Sequence, residues 1–131
     1  MSTIRVSAVL ITDTAGRALM VRKHGTEAFM QPGGKPEVGE HAAVTAAREL
    51  AEELGIIVAP EDLRPLGVFH TSAANEPGFA LIADAFAMTL DGEAPEPNAE
   101  IAEARWVSPD DAAGLVLAPL SRDHLLPIAW G

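Results

Sequence analysis

The order of elements in this 131-residue chain predicts an α/β protein: a mixed sheet packed between helices, an α/β/α sandwich. Three observations point there. The chain starts with an apolar hairpin, continues into one long alanine- and leucine-rich helix bounded by glycines, and then gives a set of strands followed by a C-terminal helix. Spacing alone leaves the strand topology open.

In order, Ile4 to Asp13 is rich in Val, Ile and Leu and reads as a central strand, because its apolar run is nearly continuous. Asp13-Thr14-Ala15-Gly16 is a turn, and Arg17 to Lys23 is the returning strand of a hairpin. His24 to Ala28 is a loop, Phe29-Met30-Gln31 a short extended piece, and Pro32-Gly33-Gly34 a turn. The helix lies between Gly39 and Gly55, and Gly55 suits a left-handed cap. Ile56 to Ala59 reads as a short strand, Arg64 to Ala73 and Phe79 to Leu90 as strands around the hairpin tip Asn75-Glu76-Pro77-Gly78. The polar, Pro-rich stretch from Asp91 to Asn98 is an exposed loop. A strand then ends at Val107, and Ser108-Pro109 opens a helix with Ser as N-cap and Pro at the first helical position. Pro119 to Trp130 is the terminal helix.

The composition, 48% hydrophobic and 21% charged, is that of a soluble globular protein and fits one domain over residues 1–131. With no Cys there are no disulfides, thiolate zinc sites or Cys nucleophiles, which fits a cytoplasmic location. Neither a signal peptide nor a membrane span is expected. With 19 acids against 9 Lys and Arg, the net charge is −10, and no basic face for duplex nucleic acid is expected. A polyanion still binds such a chain where metal ions mediate the contact. Aromatics are scarce: four Phe, two Trp and no Tyr, so few positions offer a stacking surface.

The helix is where the chemistry concentrates. At 100° per residue, Ala43, Ala47, Leu50 and Leu54 fall within about 60° of arc and form an apolar stripe, while Glu49, Glu52 and Glu53 spread over about 100° elsewhere. The acids repel one another at i+3 and i+4 and sit in the C-terminal half, where the dipole disfavours anions by ~0.3–1 kcal/mol. A solvated acidic surface would explain them. So would a hard divalent cation, since Glu40 adds a further carboxylate at the helix start and Mg²⁺ takes oxygen ligands.

Gly34, then five residues, Glu40, then seven residues, then Arg48-Glu49-Leu50-Ala51-Glu52-Glu53-Leu54-Gly55-Ile56 matches every defined position of the Nudix box. Chance would produce that match roughly once in 10⁹–10¹⁰ start positions. Through these residues, the flanking Pro32-Gly33-Gly34 turn and the Trp106-Val107-Ser108-Pro109 segment, the chain resembles the Nudix hydrolase family over most of its length. The resemblance implies the Nudix fold and water attack on a diphosphate bond in a nucleoside diphosphate linked to another group, with Mg²⁺ or Mn²⁺ as cofactor. It implies Glu52 and Glu53 as metal ligands, Glu49 as a ligand or the general base, and a backbone carbonyl near Gly33 or Gly34 as a further oxygen ligand. Glu100, six residues before Trp106, resembles the loop acid that adds a ligand or acts as base. Glu40, Arg48 and Gly55 take supporting roles. Arg22 and Lys23, where the family has a basic residue, are candidates for the substrate phosphates; Lys35 reaches either a phosphate or an acid that holds the loop.

Substrate marks are sparse. A downstream Tyr marks dinucleoside polyphosphate hydrolases, and this chain has none. A downstream Pro marks ADP-ribose hydrolases, and Phe69 to Ala73 contains none. Gln31 stands where an aromatic helps oxidised-guanine sanitising members grip the base. A nucleoside triphosphate is the expected substrate, taken as a small molecule by a monomer or homodimer, with Phe69, His70, Thr71 and Phe79 as candidate pocket residues, although Phe69 and Phe79 read first as core. A nucleotide sugar, ADP-ribose, a non-nucleotide diphosphate, or a silent nucleotide-sensing domain are the alternatives.

Overall fold

The computed structural model describes residues 2–131. Its sheet is built from β1 (Thr3–Thr12), β2 (Ala18–Lys23), the two-residue β3 (Gly33–Gly34), β4 (Arg64–Ser72), β5 (Ala80–Thr89) and β6 (Ile101–Val107). The strand order is β4-β5-β1-β2-β6, with β3 paired to β1 off that path. β1 and β5 are parallel along their whole length, and the other pairs are antiparallel. The predicted mixed sheet is therefore present, with β1 at its centre.

β1 alternates between two helical layers, which explains its unbroken apolar run. Val9 and Ile11, with Leu19 and Val21 of β2, pack against Ala46, Leu50 and Leu54 of α1 (Ala42–Leu54). Ala8 and Leu10, with Ala18 and Met20, face the other side, against Leu120, Leu125 and Leu126 of the C-terminal helix. That helix runs over 119–130 as predicted, but Ser121–Leu125 winds as a π turn ahead of the final α-helical residues Leu126–Trp130. The short α2 (Pro109–Ala112) starts as expected: Ser108 Oγ accepts from Asp111 N–H at 3.1 Å, and Asp111 Oδ2 accepts from Ser108 N–H at 3.1 Å. Ile56 to Ala59 is not a strand; it runs as an irregular link into a 3₁₀ turn at Pro60–Asp62, with Ile56 and Val58 packed against the core. Tertiary packing there overrides the β propensity of Ile-Ile-Val.

The sheet splits where the site lies. β1 and β2 pair only at Thr12 and Ala18, beside the hairpin turn, and then diverge. Residues 29–34 fill the wedge: Met30 exchanges both backbone hydrogen bonds with Val21, Val9 N–H donates to Pro32 O at 3.0 Å, and β3 takes the free edge of β1 at Ser7 and Ala8. Only glycine fits this insertion. A Cβ at Gly33 would lie 2.0 Å from Ser7 O, and one at Gly34 would lie 2.3 Å from Glu49 Oε2. Gly33 thus lets the segment lie against β1, and Gly34 makes room for Glu49 of helix α1 at the open seam of the sheet.

Candidate active site

Of the two readings of the helix acids, a solvated face or a cation site, the structure carries Glu49 and Glu53 inward. Glu49 is 8% exposed and Glu53 1%, whereas Glu52 is exposed. Leu50 and Leu54 are buried as expected, with Ala46 completing the stripe. Ala43 and Ala47 are half-buried at its margin. Gly55, at φ 65°, ends the helix, and Ile56 N–H closes back on Leu50 O at 3.2 Å.

Glu53 is held at both ends. Its Oε1 accepts from Gly33 N–H at 3.1 Å, and its backbone carbonyl accepts from Asn98 N–H at 2.8 Å. The second contact ties the 91–100 loop to the last turn of α1. Glu100 follows on that loop, where its carbonyl accepts from His24 N–H at 2.9 Å. Carboxylate oxygens of Glu49, Glu53 and Glu100 all lie within 4.8 Å of one another. Three of the predicted acids thus converge from two elements far apart in sequence, α1 and the 91–100 loop.

Arg48 ties the rest together. Its Nε donates to Glu40 Oε2 at 2.6 Å and its Nη2 to Glu40 Oε1 at 2.9 Å and to Lys35 O at 3.0 Å. Its Nη1 donates to Glu49 Oε1 at 2.9 Å and to Glu52 at 3.2 Å. Glu40 also accepts from Glu37 N–H at 2.9 Å and from Thr45 Oγ1 at 2.8 Å, which organises the helix start. His41, the N-cap, supplies no side-chain bond of its own. Glu40 and Arg48 therefore occupy supporting positions. Glu52 faces solvent on Arg48 and stands apart from the three converging acids.

The electrostatics follow from this placement. Hydrogen bonds from Arg48, then from Glu37 N–H, hold Glu40 down at about 2. Burial pushes Glu49 up, opposed by Arg48. Burial raises Glu53 to about 8; the Gly33 amide opposes this, while the charges of Glu49 and Glu100 add to it. The two signs make separate predictions. Glu53 rises above its ordinary value of 4.5, so without metal its contribution to stability is present below about 4.5 and lost as the pH rises through about 8. Glu40 is depressed, so its contribution is present above 4.5 and lost as the pH falls through about 2. Melting of the protein in EDTA should decline between about pH 5 and about pH 9, and Glu53→Gln should flatten that decline.

A cleft of about 580 Å³ opens beside the acids. Lys23, Lys35, Glu37 and Arg48 line its charged end, and Lys35 Nζ lies 3.9 Å from Glu76 Oε1 of the β4–β5 hairpin tip. Arg22 does not line it. Its Nη1 donates to Thr26 O at 3.0 Å and its Nε to Glu103 Oε1 at 3.4 Å, because the register shifts between Arg22 and Lys23 and the two side chains part. Beyond the acids the cleft is aliphatic, with Ile4, Val6 and Leu81 on the sheet and Met30 and Leu120 among the facing residues. Phe69, His70, Thr71 and Phe79 are all absent from its lining. Phe69 instead packs at 5.4 Å on the His124 ring. Among the polar residues of the lining, Gln31 and Ser121 are both buried and hydrogen-bonded to each other, with Gln31 Nε2 on Met20 Sδ at 3.2 Å. Ser121 carries no sequence signal; Gln31 stands out only by preceding Pro32-Gly33-Gly34.

Comparison with known proteins agrees with this geometry. The NUDIX domain family model matches residues 1–130, and the chain belongs to that family. It is 33% identical over 129 residues to an isopentenyl-diphosphate Δ-isomerase of Nocardia farcinica, covering 87% of this chain and 69% of that protein. It is 34% identical over 112 residues to an uncharacterised Nudix hydrolase of Pseudomonas aeruginosa, covering 81% of this chain and 63% of that one. The crystal structure of a MutT protein from Methanosarcina mazei Go1 superposes with a TM-score of 0.75 at 21% identity, covering 98% and 93% of the two chains, and shares the fold. The family and the hydrolase relative support a pyrophosphohydrolase acting on diphosphate bonds. Among the described residues, no helix is long and apolar enough to cross a membrane.

Proposed function

We propose that this chain, as one domain over 1–131 and in the cytoplasm, is a Mg²⁺- or Mn²⁺-dependent hydrolase that cuts a nucleoside triphosphate into nucleoside monophosphate and pyrophosphate. The convergence of Glu49, Glu53 and Glu100 within 4.8 Å beside the cleft carries the reading. Their donor set fits the cofactor: all are hard oxygens, which suit Mg²⁺ and Mn²⁺ rather than softer ions. The ion, when bound, neutralises diphosphate charge and acidifies water. Glu53 and Glu49 would hold it with the carbonyl of Gly33 or Gly34, Glu52 would serve its solvent side, and Glu100 or Glu49 would take the proton from the attacking water. Lys23 and Lys35 supply positive charge for the phosphates. The aliphatic end of the cleft takes the base between its walls, and the Gln31 amide, held by Ser121, offers its second N–H to the base edge.

One observation favours a second reading. The cleft lining contains no aromatic side chain. Together with the likeness to an isopentenyl-diphosphate isomerase, this suits a non-nucleotide organic diphosphate. Incubation with Mg²⁺ or Mn²⁺ and a panel of nucleoside triphosphates, nucleotide sugars, ADP-ribose and alkyl diphosphates separates the two. Release of pyrophosphate and nucleoside monophosphate supports the first; cleavage of alkyl diphosphates alone supports the second. Tight nucleotide binding without any cleavage would mark a sensor and overturn both.

A further inference from the structure

Ala99 is the one non-glycine residue among the described residues with a positive φ, at 55°. L residues other than Asn and Asp rarely adopt this left-handed conformation, because Cβ then crowds the following carbonyl. Where such a conformation persists, the surroundings impose it. Here they are identifiable. Asn98 N–H is bonded to Glu53 O at 2.8 Å, Ile101 N–H returns to Asn98 O at 3.1 Å, and Glu100 O is bonded to His24 N–H at 2.9 Å. Residue 98 is thus pinned to the end of α1 and residue 100 to the chain just after β2, and the peptide between them must turn left. The turn has a consequence at the next residue, whose carboxylate stands within 4.8 Å of those of Glu49 and Glu53.

We propose that Ala99 is a positioning residue: its left-handed backbone aims the Glu100 carboxylate, on an otherwise exposed loop, into the acid cluster. The inference rests on the reading of that cluster as a divalent-metal site. It assigns no chemistry to Ala99 itself. The loop holds Glu100 in place through backbone geometry, with residue 98 bonded to the end of α1 and the Glu100 carbonyl to His24 N–H.

The test compares Mn²⁺ affinity, read by electron paramagnetic resonance of the free ion, with the melting temperature in EDTA. Four variants are used: Ala99→Gly, Ala99→Val, Glu100→Gln and the double variant Ala99→Val/Glu100→Gln. Glycine accepts the left-handed conformation, so Ala99→Gly should bind Mn²⁺ as the wild type does and melt a few degrees higher. Valine does not accept it, so Ala99→Val should weaken Mn²⁺ about 10-fold, as Glu100→Gln does. The double variant should be no weaker than either single one, since both remove the same contact. A folded Ala99→Val with wild-type affinity, or an additive double variant, overturns the proposal while leaving the metal site standing. Should Ala99→Val fail to fold, Ala99→Gly and Ala99→Asn decide, because both tolerate the turn and lost affinity in either overturns it. A wild-type protein that binds no Mn²⁺ removes the metal reading and this proposal together.

Discussion

Glu53→Gln lowers metal-dependent hydrolysis by more than about 100-fold and leaves the protein folded. The magnitude follows from position: residues that merely orient metal ligands cost 10–100-fold when changed, and Glu53 would be a ligand itself. The folded state survives because glutamine keeps the shape and the oxygen that accepts the Gly33 N–H. As the pH rises towards and through about 8, it also removes a charge that burial and two neighbouring carboxylates disfavour. The metal-free variant should therefore melt at or above the wild-type temperature. Turnover within a few-fold of wild type, measured as kcat beside the melting curve, would remove Glu53 from the site.

Arg48→Lys has the second-largest effect, and it falls on both stability and activity. One guanidinium joins the Glu40 carboxylate, the Lys35 carbonyl, Glu49 and Glu52 through separate nitrogens. Lysine keeps the charge, but its single nitrogen cannot span those partners. Glu40 would lose the contact that most depresses its pKa, and Glu49 the cation that opposes its burial. The melting temperature should fall by several degrees, and kcat by about 10–100-fold, as for other groups that orient ligands. The Glu52→Gln change, at a half-exposed side chain, should cost less stability. Equal melting and turnover for Arg48→Lys and wild type would show that charge alone suffices there.

Much of this was legible before any fold was known. The two-sided apolar run of β1, the Gly55 cap, the Ser108-Pro109 helix start and the box acids all depend on short spacings, where local rules hold. The burial of Glu49 and Glu53 was not legible from helix periodicity. It depends on residues distant in sequence from the acids: Gly33, whose missing Cβ lets the 29–34 segment lie against β1, and Gly34, whose missing Cβ makes room for Glu49. The register shift after Arg22 likewise depends on its partner strand, so alternation alone could not separate Arg22 from Lys23. The Gln31–Ser121 pair joins residues 90 apart, one of them in a π turn that no propensity marks. Phe69 and Phe79, two of the chain's few aromatics, stand outside the cleft, which is lined instead by aliphatic residues of β1 and β5.

The central claim is that Glu49, Glu53 and Glu100 tolerate their mutual repulsion because a divalent cation joins them. The direct measurement is the melting temperature in EDTA and in millimolar Mg²⁺ or Mn²⁺, for the wild type and Glu53→Gln. A cation that binds only the folded state stabilises it by mass action. The wild type should melt higher with metal and the variant should respond little. An unchanged wild-type melting temperature, or an equal rise in both proteins, would contradict the account.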